Sequence, residues 1–187
     1  MTAATEWYNA DRRGETPLPN QPVDVRDFPP EDFKYADVDF VYPRTNGLVK
    51  TIIETAPITG RFKRVLIDVK VQDLHPEICS CLPGWHLDGS MQEVEVHHLC
   101  VLNGPQTEFI DEPLHLPGKY PDIVKMIPQD VKITQAKEWF ITTFTSLDFH
   151  RGVFATKPTR RLLVRLTETN IIQPRNKPQP PSQGAIR

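Results

Sequence analysis

Residues 61–74 read RFKRVLIDVKVQDL, and within them Val65, Ile67, Val69 and Val71 alternate with Arg64, Asp68, Lys70 and Gln72. A period of two sends successive side chains to opposite faces, the pattern of a half-buried strand. The signature returns further along. MQEVEVHHLCVL (91–102) sets Val94, Val96, His98 and Cys100 on one side, while EWFITTFTSLDF (138–149) and RRLLVRLTE (160–168) are rich in β-branched and aromatic residues. DVDFVYP (37–43), GLVKTIIE (47–54), TEFI (107–110), PLHL (113–116) and DVKIT (130–134) read as shorter strands. GKYPDIVKMIPQ (118–129) reads as one short helix. Roughly eight to ten strands, divided by Gly and Pro, predict a mainly β antiparallel sandwich or barrel, with a jelly roll the natural candidate at this length.

The 187 residues, 39% apolar and 25% charged, suit one globular domain. A formal charge of −2 gives no general basic field for nucleic acid, although a local groove keeps nucleic acid open as a substrate. No apolar run spans a bilayer and the first residues lack a hydrophobic signal core, so no membrane partner is expected. Three cysteines argue against a disulfide framework and for a cytoplasmic protein with reduced thiols. The 19 prolines are about twice the usual share and cluster at the ends, five between Pro17 and Pro30 and four between Pro174 and Pro181. The chain therefore divides into an irregular arm (1–35), a β domain (36–170) and a flexible or extended proline-rich tail (171–187).

LPGWHLDGS (82–90) puts His86 and Asp88 two residues apart, so on extended backbone an imidazole and a carboxylate share one face. A third ligand from a neighbouring strand would complete one face of an octahedron. Three positions would stay open for a bidentate co-substrate and dioxygen, which is why this donor set suits non-haem Fe(II). LDFHRG (147–152) offers His150, 62 residues after Asp88. VFATKPTRRLLVRLTET (153–169) then carries Arg160, Arg161 and Arg165 on a strand. An interior arginine is costly unless it meets an anion, and a carboxylate can take two parallel bonds from its fork.

The order H-x-D, distal His, then Arg about ten residues later resembles the Fe(II)/2-oxoglutarate-dependent dioxygenase superfamily, built on a double-stranded β-helix. WHLDG (85–89) and HRGVFATKPTRRLLVR (150–165) are similar to the corresponding segments of its taurine dioxygenase-like branch, and GPQTEF (104–109) to a turn before a co-substrate-binding Thr. The short Asp88–His150 gap is closer to compact prolyl hydroxylase-like and AlkB-like members. The resemblance implies a jelly-roll or cupin-like double-stranded β-helix over the middle of the chain, with one or two short helices and proline-rich terminal arms. It implies His86, Asp88 and His150 as catalytic metal ligands for Fe(II), and Arg161 as the grip on 2-oxoglutarate, with Thr107 helping. Arg165, on the same face, would meet a substrate anion or the same carboxylate; Arg160 points the other way in a regular strand. The implied activity is hydroxylation of an unidentified small molecule or peptide with O2, releasing succinate and CO2, with ascorbate as an accessory reductant. Metal affinity should fall as pH drops through the histidine range, since both rings must be neutral to bind. Residues 118–129 would form a lid or substrate wall.

Two other readings stand beside this one. Cys79, Cys81, His97, His98 and Cys100 offer thiolate and imidazole for zinc, against burial of the cysteines as free thiols. A non-catalytic β-barrel binding module would keep the site's shape without its chemistry.

Overall fold

The computed structural model describes residues 5–8, 13–19, 22–45, 47–89, 92–181 and 185–186. The first half holds strands β1 (Thr5–Tyr8), β2 (Gly14–Pro17), β3 (Phe33–Asp37), β4 (Arg64–Leu74), β5 (Ile78–Cys79) and β6 (Val96–Leu102), with helices α1 (Val38–Val41) and α2 (Gly47–Thr55) between β3 and β4. The second half holds β7 (Glu108–Ile110), β8 (Leu114–Pro117), β9 (Ile133–Gln135), β10 (Phe140–Thr145), β11 (His150–Arg151), β12 (Thr159–Thr169) and β13 (Ala185–Ile186).

The stretch 61–74 delivers β4, and β12 lies antiparallel along its whole length, from Thr159 opposite Leu74 to Thr169 opposite Arg64. They sit inside a six-stranded antiparallel sheet ordered β2-β10-β6-β12-β4-β3. Its apolar face carries Ile67, Val69, Val71, Leu162, Val164 and Leu166 onto Val41, Val49 and Ile52 of the two helices. Each such side chain, fully buried, contributes about 1.5–3 kcal/mol. The opposite face meets the three-stranded sheet β11-β7-β9, where Phe109 of β7 stands edge-on to Phe144 of β10 with centroids 5.0 Å apart. The two layers are open antiparallel sheets, as in a β-sandwich. No helix is long and apolar enough to cross a membrane among the described residues.

Two expectations need correction. Residues 37–43 and 47–54, read as strands, form α1 with a following 3-10 turn, and α2. Val49 and Ile52 are both buried, and their spacing of three is that of one helical face. The front of the chain, read as an irregular arm, supplies β1, which pairs with β8, and β2, which pairs with β10. Of the two readings of the tail, flexible or extended, its described residues take the extended one along the domain: the Arg175 amide donates to Tyr35 O at 2.7 Å, Gln179 and Asp32 exchange backbone bonds, and β13 pairs with β5.

The polar face of β4 is not turned to solvent either. Asp68 and Gln72 are only 1% and 4% exposed. Antiparallel pairing sets Asp68 opposite Arg165, Lys70 opposite Leu163 and Gln72 opposite Arg161. Both faces of β4 are therefore inside, one apolar and one lined with polar groups that need partners.

Candidate metal centre

The loop before His86 returns beside β11, and the two histidines close the gap through their backbones. The His86 amide donates to His150 O at 3.0 Å and the His150 amide to His86 O at 3.1 Å. This doubly bonded pair sets the rings with centroids 4.4 Å apart. Leu87, between His86 and Asp88 in sequence, turns the other way, into a cluster with Ile123 and Phe149, so those two stay on the inner side. Two glycines permit the approach. Gly89 sits at φ +104°, where a Cβ would also strike the Glu95 carboxylate, and a Cβ on Gly152 would lie 2.5 Å from the Cys81 backbone nitrogen.

Each ring is held by the carbonyl two residues before it: His86 Nδ1 lies 2.8 Å from Gly84 O, and His150 Nδ1 lies 3.0 Å from Asp148 O. A carbonyl only accepts, so each Nδ1 carries the proton and each Nε2 is left with its lone pair. His150 Nε2 lies 3.2 Å from Asp88 Oδ2. A lone pair facing a carboxylate oxygen at that distance repels it unless a proton or a cation lies between them. One ligand atom from each of His86, Asp88 and His150 falls within 4.8 Å of the others. Adjacent donors on an octahedral ion, with bonds of ~2.1 Å, stand ~3 Å apart. The group can hold a metal ion.

Arg165 reaches this centre from β12. It ion-pairs with Asp88, and its Nε and Nη2 donate to Asp68 Oδ2 at 3.0 and 2.6 Å. Asp68 in turn accepts the Tyr35 amide at 2.8 Å. Burial alone would raise the Asp88 pKa, but the Arg165 charge holds it well below the carboxylate range. Burial would also lower the His86 pKa; the Cys81 thiol and Gly84 carbonyl outweigh it and raise it. His97, buried behind the centre and bonded through Nδ1 to Thr167 Oγ1 at 3.0 Å, is pushed down to about 3 by burial and by the Arg165 charge.

Arg161 is on the same face of β12 but outside the cavity that the other site residues line. It is 0% exposed, and only its Nη1 is satisfied, by Gln72 Oε1 at 2.7 Å. Nε and Nη2 are buried without a partner. Burial lowers its pKa to about 10, so it stays charged near neutral pH. A buried guanidinium with two idle donors is costly, and a carboxylate ligand would complete it. Arg160 faces outward and pairs with Asp73, as a regular strand requires.

His86, Asp88, His150, Thr107 and Arg165 line one cavity of about 310 Å³. Residues 118–129 do not: Ile123 packs under Leu87, so the segment braces the ligand loop rather than walling the cavity. The zinc alternative does not assemble. Among the described residues, His86, Asp88 and His150 are the one group of three or more His, Cys, Asp or Glu close enough to share an ion. Cys100 lies in the core under the helices, and His98 bonds Thr143 and Glu168. Tyr35, Asp68 and Lys70 went unnoticed as site residues. For Asp68 and Gln72 a signal existed, since Arg161 and Arg165 needed acceptors at matching positions on an adjacent strand. No protein-family model matches the chain, and no curated protein or solved structure matches it.

Proposed function

We propose that the chain is an Fe(II)- and 2-oxoglutarate-dependent oxygenase, with the open layers forming a double-stranded β-helix around residues 36–170. The observation that supports this most is the meeting of two Nε2 lone pairs and one carboxylate from His86, His150 and Asp88, the 2-His-1-carboxylate set of non-haem iron. Bound together, Fe(II) and 2-oxoglutarate supply the chemistry: R–H + O2 + 2-oxoglutarate gives R–OH + succinate + CO2.

The residues present fit that pair. Gly84 and Asp148 carbonyls fix both ligand tautomers, and Arg165 fixes the Asp88 carboxylate. Arg161, whose idle Nε and Nη2 lie outside the cavity, would take the distal carboxylate of a co-substrate that reaches past its wall, and Thr107 would supply a hydroxyl from the cavity itself. Leu99, Phe144 and Leu163 line the cavity with apolar surface and exclude water.

A second reading, a non-catalytic binding module, draws on the Arg165–Asp88 ion pair, which neutralises the anionic ligand without a metal. The two separate in one assay. Such oxygenases release succinate slowly without their prime substrate, so Fe(II), ascorbate and 2-oxoglutarate should yield succinate. Arg161→Gln should raise the 2-oxoglutarate requirement at least about tenfold, the loss of a charge-assisted bond, and leave Fe(II) affinity unchanged. No succinate together with no 2-oxoglutarate binding defeats the oxygenase reading and leaves the module.

A further inference from the structure

The cavity has a second recognition element that the iron chemistry does not use. Lys34 and Tyr35 are consecutive residues of β3, yet both line the cavity. Consecutive residues of a regular strand point to opposite faces. Here the register with β4 shifts between Phe33 and Ala36, and Tyr35 sits at φ +50°. A bulky residue in left-handed backbone is strained, and such strain recurs where a binding site needs a side chain re-aimed. Lys70 reaches the same cavity from the inner face of β4.

Charge accounting isolates these lysines. Arg151 is matched by Glu108, and Arg165 pairs with both Asp68 and Asp88. Among the described residues, neither Lys34 nor Lys70 has an acid within ion-pairing distance. Further in, Arg165 pairs with Asp68 and Asp88, and Arg161 is left for the distal carboxylate of the co-substrate. With a ferrous ion and the 2-oxoglutarate dianion bound, the charges of these four side chains and the two guests cancel. Two positive charges remain on the wall where a substrate would enter. The rest of the lining includes Leu82, Leu99, Phe144 and Leu163, and a volume of about 310 Å³ is at the small end for ligand pockets.

We infer that the prime substrate is a small anionic molecule, a carboxylate, sulfonate or phosphate ester with a short aliphatic portion, whose anion is held by Lys34 and Lys70 beside Tyr35. This rests on the oxygenase reading for the identity of the site, but the lysines bind an anion whether or not iron is present.

The test uses methanesulfonate as probe and neutral, similarly shaped dimethyl sulfone as control. Binding is measured by calorimetry on the metal-free protein, and on protein loaded anaerobically with Fe(II) and 2-oxoglutarate. Methanesulfonate should bind both forms and dimethyl sulfone neither. Lys34→Gln and Lys70→Gln should each weaken methanesulfonate about tenfold, as expected for one charge-assisted bond, with 2-oxoglutarate affinity unchanged. Equal methanesulfonate binding by wild type and both variants overturns the inference. So does loss of 2-oxoglutarate binding in the variants, which assigns the lysines to the co-substrate. Failure of wild type to bind 2-oxoglutarate, with lysine-dependent methanesulfonate binding intact, overturns only the oxygenase reading.

Discussion

Arg165 holds the carboxylate of Asp88 across 77 residues of sequence while gripping Asp68 on the neighbouring strand. One guanidinium thus serves two acids, and its own pKa, which burial would lower, is raised well above the arginine value by the Asp88 and Asp68 charges. Replacing it by Met strands both carboxylates in a largely buried place. Arg165→Met should cost about 3 kcal/mol, the usual penalty for breaking such a pair. Saturating Mn(II) should recover part of the loss, because a cation at the centre again faces Asp88. Urea unfolding with and without metal reads both effects; a loss under about 1 kcal/mol contradicts the pairing as described.

Stability should fall as the medium is acidified, and His97 sets the window. Above pH ~6.5 the ring is neutral in folded and unfolded chains alike. Between there and its folded pKa of about 3, the unfolded chain takes up a proton that the folded chain refuses. Each pH unit within that window removes up to ~1.4 kcal/mol. Asp88, depressed when folded, acts in the same direction further down: its contribution is complete above the unfolded carboxylate pKa of ~3.9 and disappears as pH falls through the folded value. Unfolding midpoints between about pH 7 and about pH 4.5 should fall steeply for wild type and less steeply for His97→Gln. Parallel profiles would contradict the role given to His97.

Gly152 couples packing to the proposed ligands. A methyl at this position meets the Cys81 backbone at 2.5 Å, and the Gly152 amide donates to Leu82 O at 2.8 Å. Gly152→Ala must displace the segment that leads into His86. The expected cost is about 1–3 kcal/mol with a clear fall in Fe(II) affinity. Gly14→Ala, whose methyl would touch only Thr143 Cβ at 3.9 Å, serves as the control and should leave affinity unchanged. If the two variants behave alike in urea unfolding and Fe(II) titration, the close approach does not matter.

The three proposed ligands should act as a unit. His86→Ala, Asp88→Ala and His150→Ala should each weaken Fe(II) by at least about 100-fold, exceeding the 10–100-fold typical of groups that merely orient a ligand. The double variant His86→Ala/His150→Ala should lose little more than either single one. Anaerobic calorimetry checks this; an affinity that survives His150→Ala shows that the metal binds elsewhere.

Legibility in the sequence followed the strength of each local signal. The strand at 61–74 was plain because four β-branched residues alternate over seven positions. Its second face was misread, since alternation cannot distinguish a polar face in water from a polar face around a site. The strand pairing makes that distinction, by setting Gln72 and Asp68 against Arg161 and Arg165. GLVKTIIE looked extended because of Val49, Ile52 and Ile53, although the spacing of its buried residues was helical. His86 and Asp88 could be paired from their own spacing. That His150 joins them depends on a backbone bridge across 64 residues, which no local pattern encodes. Lys34 and Tyr35 line one cavity because of a bulge and a left-handed residue, for which no Gly or Asn gave warning.

The most direct measurement is the visible spectrum of the protein mixed anaerobically with Fe(II) and then 2-oxoglutarate. Chelation by the keto acid at the proposed centre should produce a broad metal-to-ligand charge-transfer band in wild type, absent in His86→Ala and needing more 2-oxoglutarate in Arg161→Gln. A wild-type protein that binds Fe(II) yet shows no band, or a band that persists in His86→Ala, would contradict the assignment of this centre.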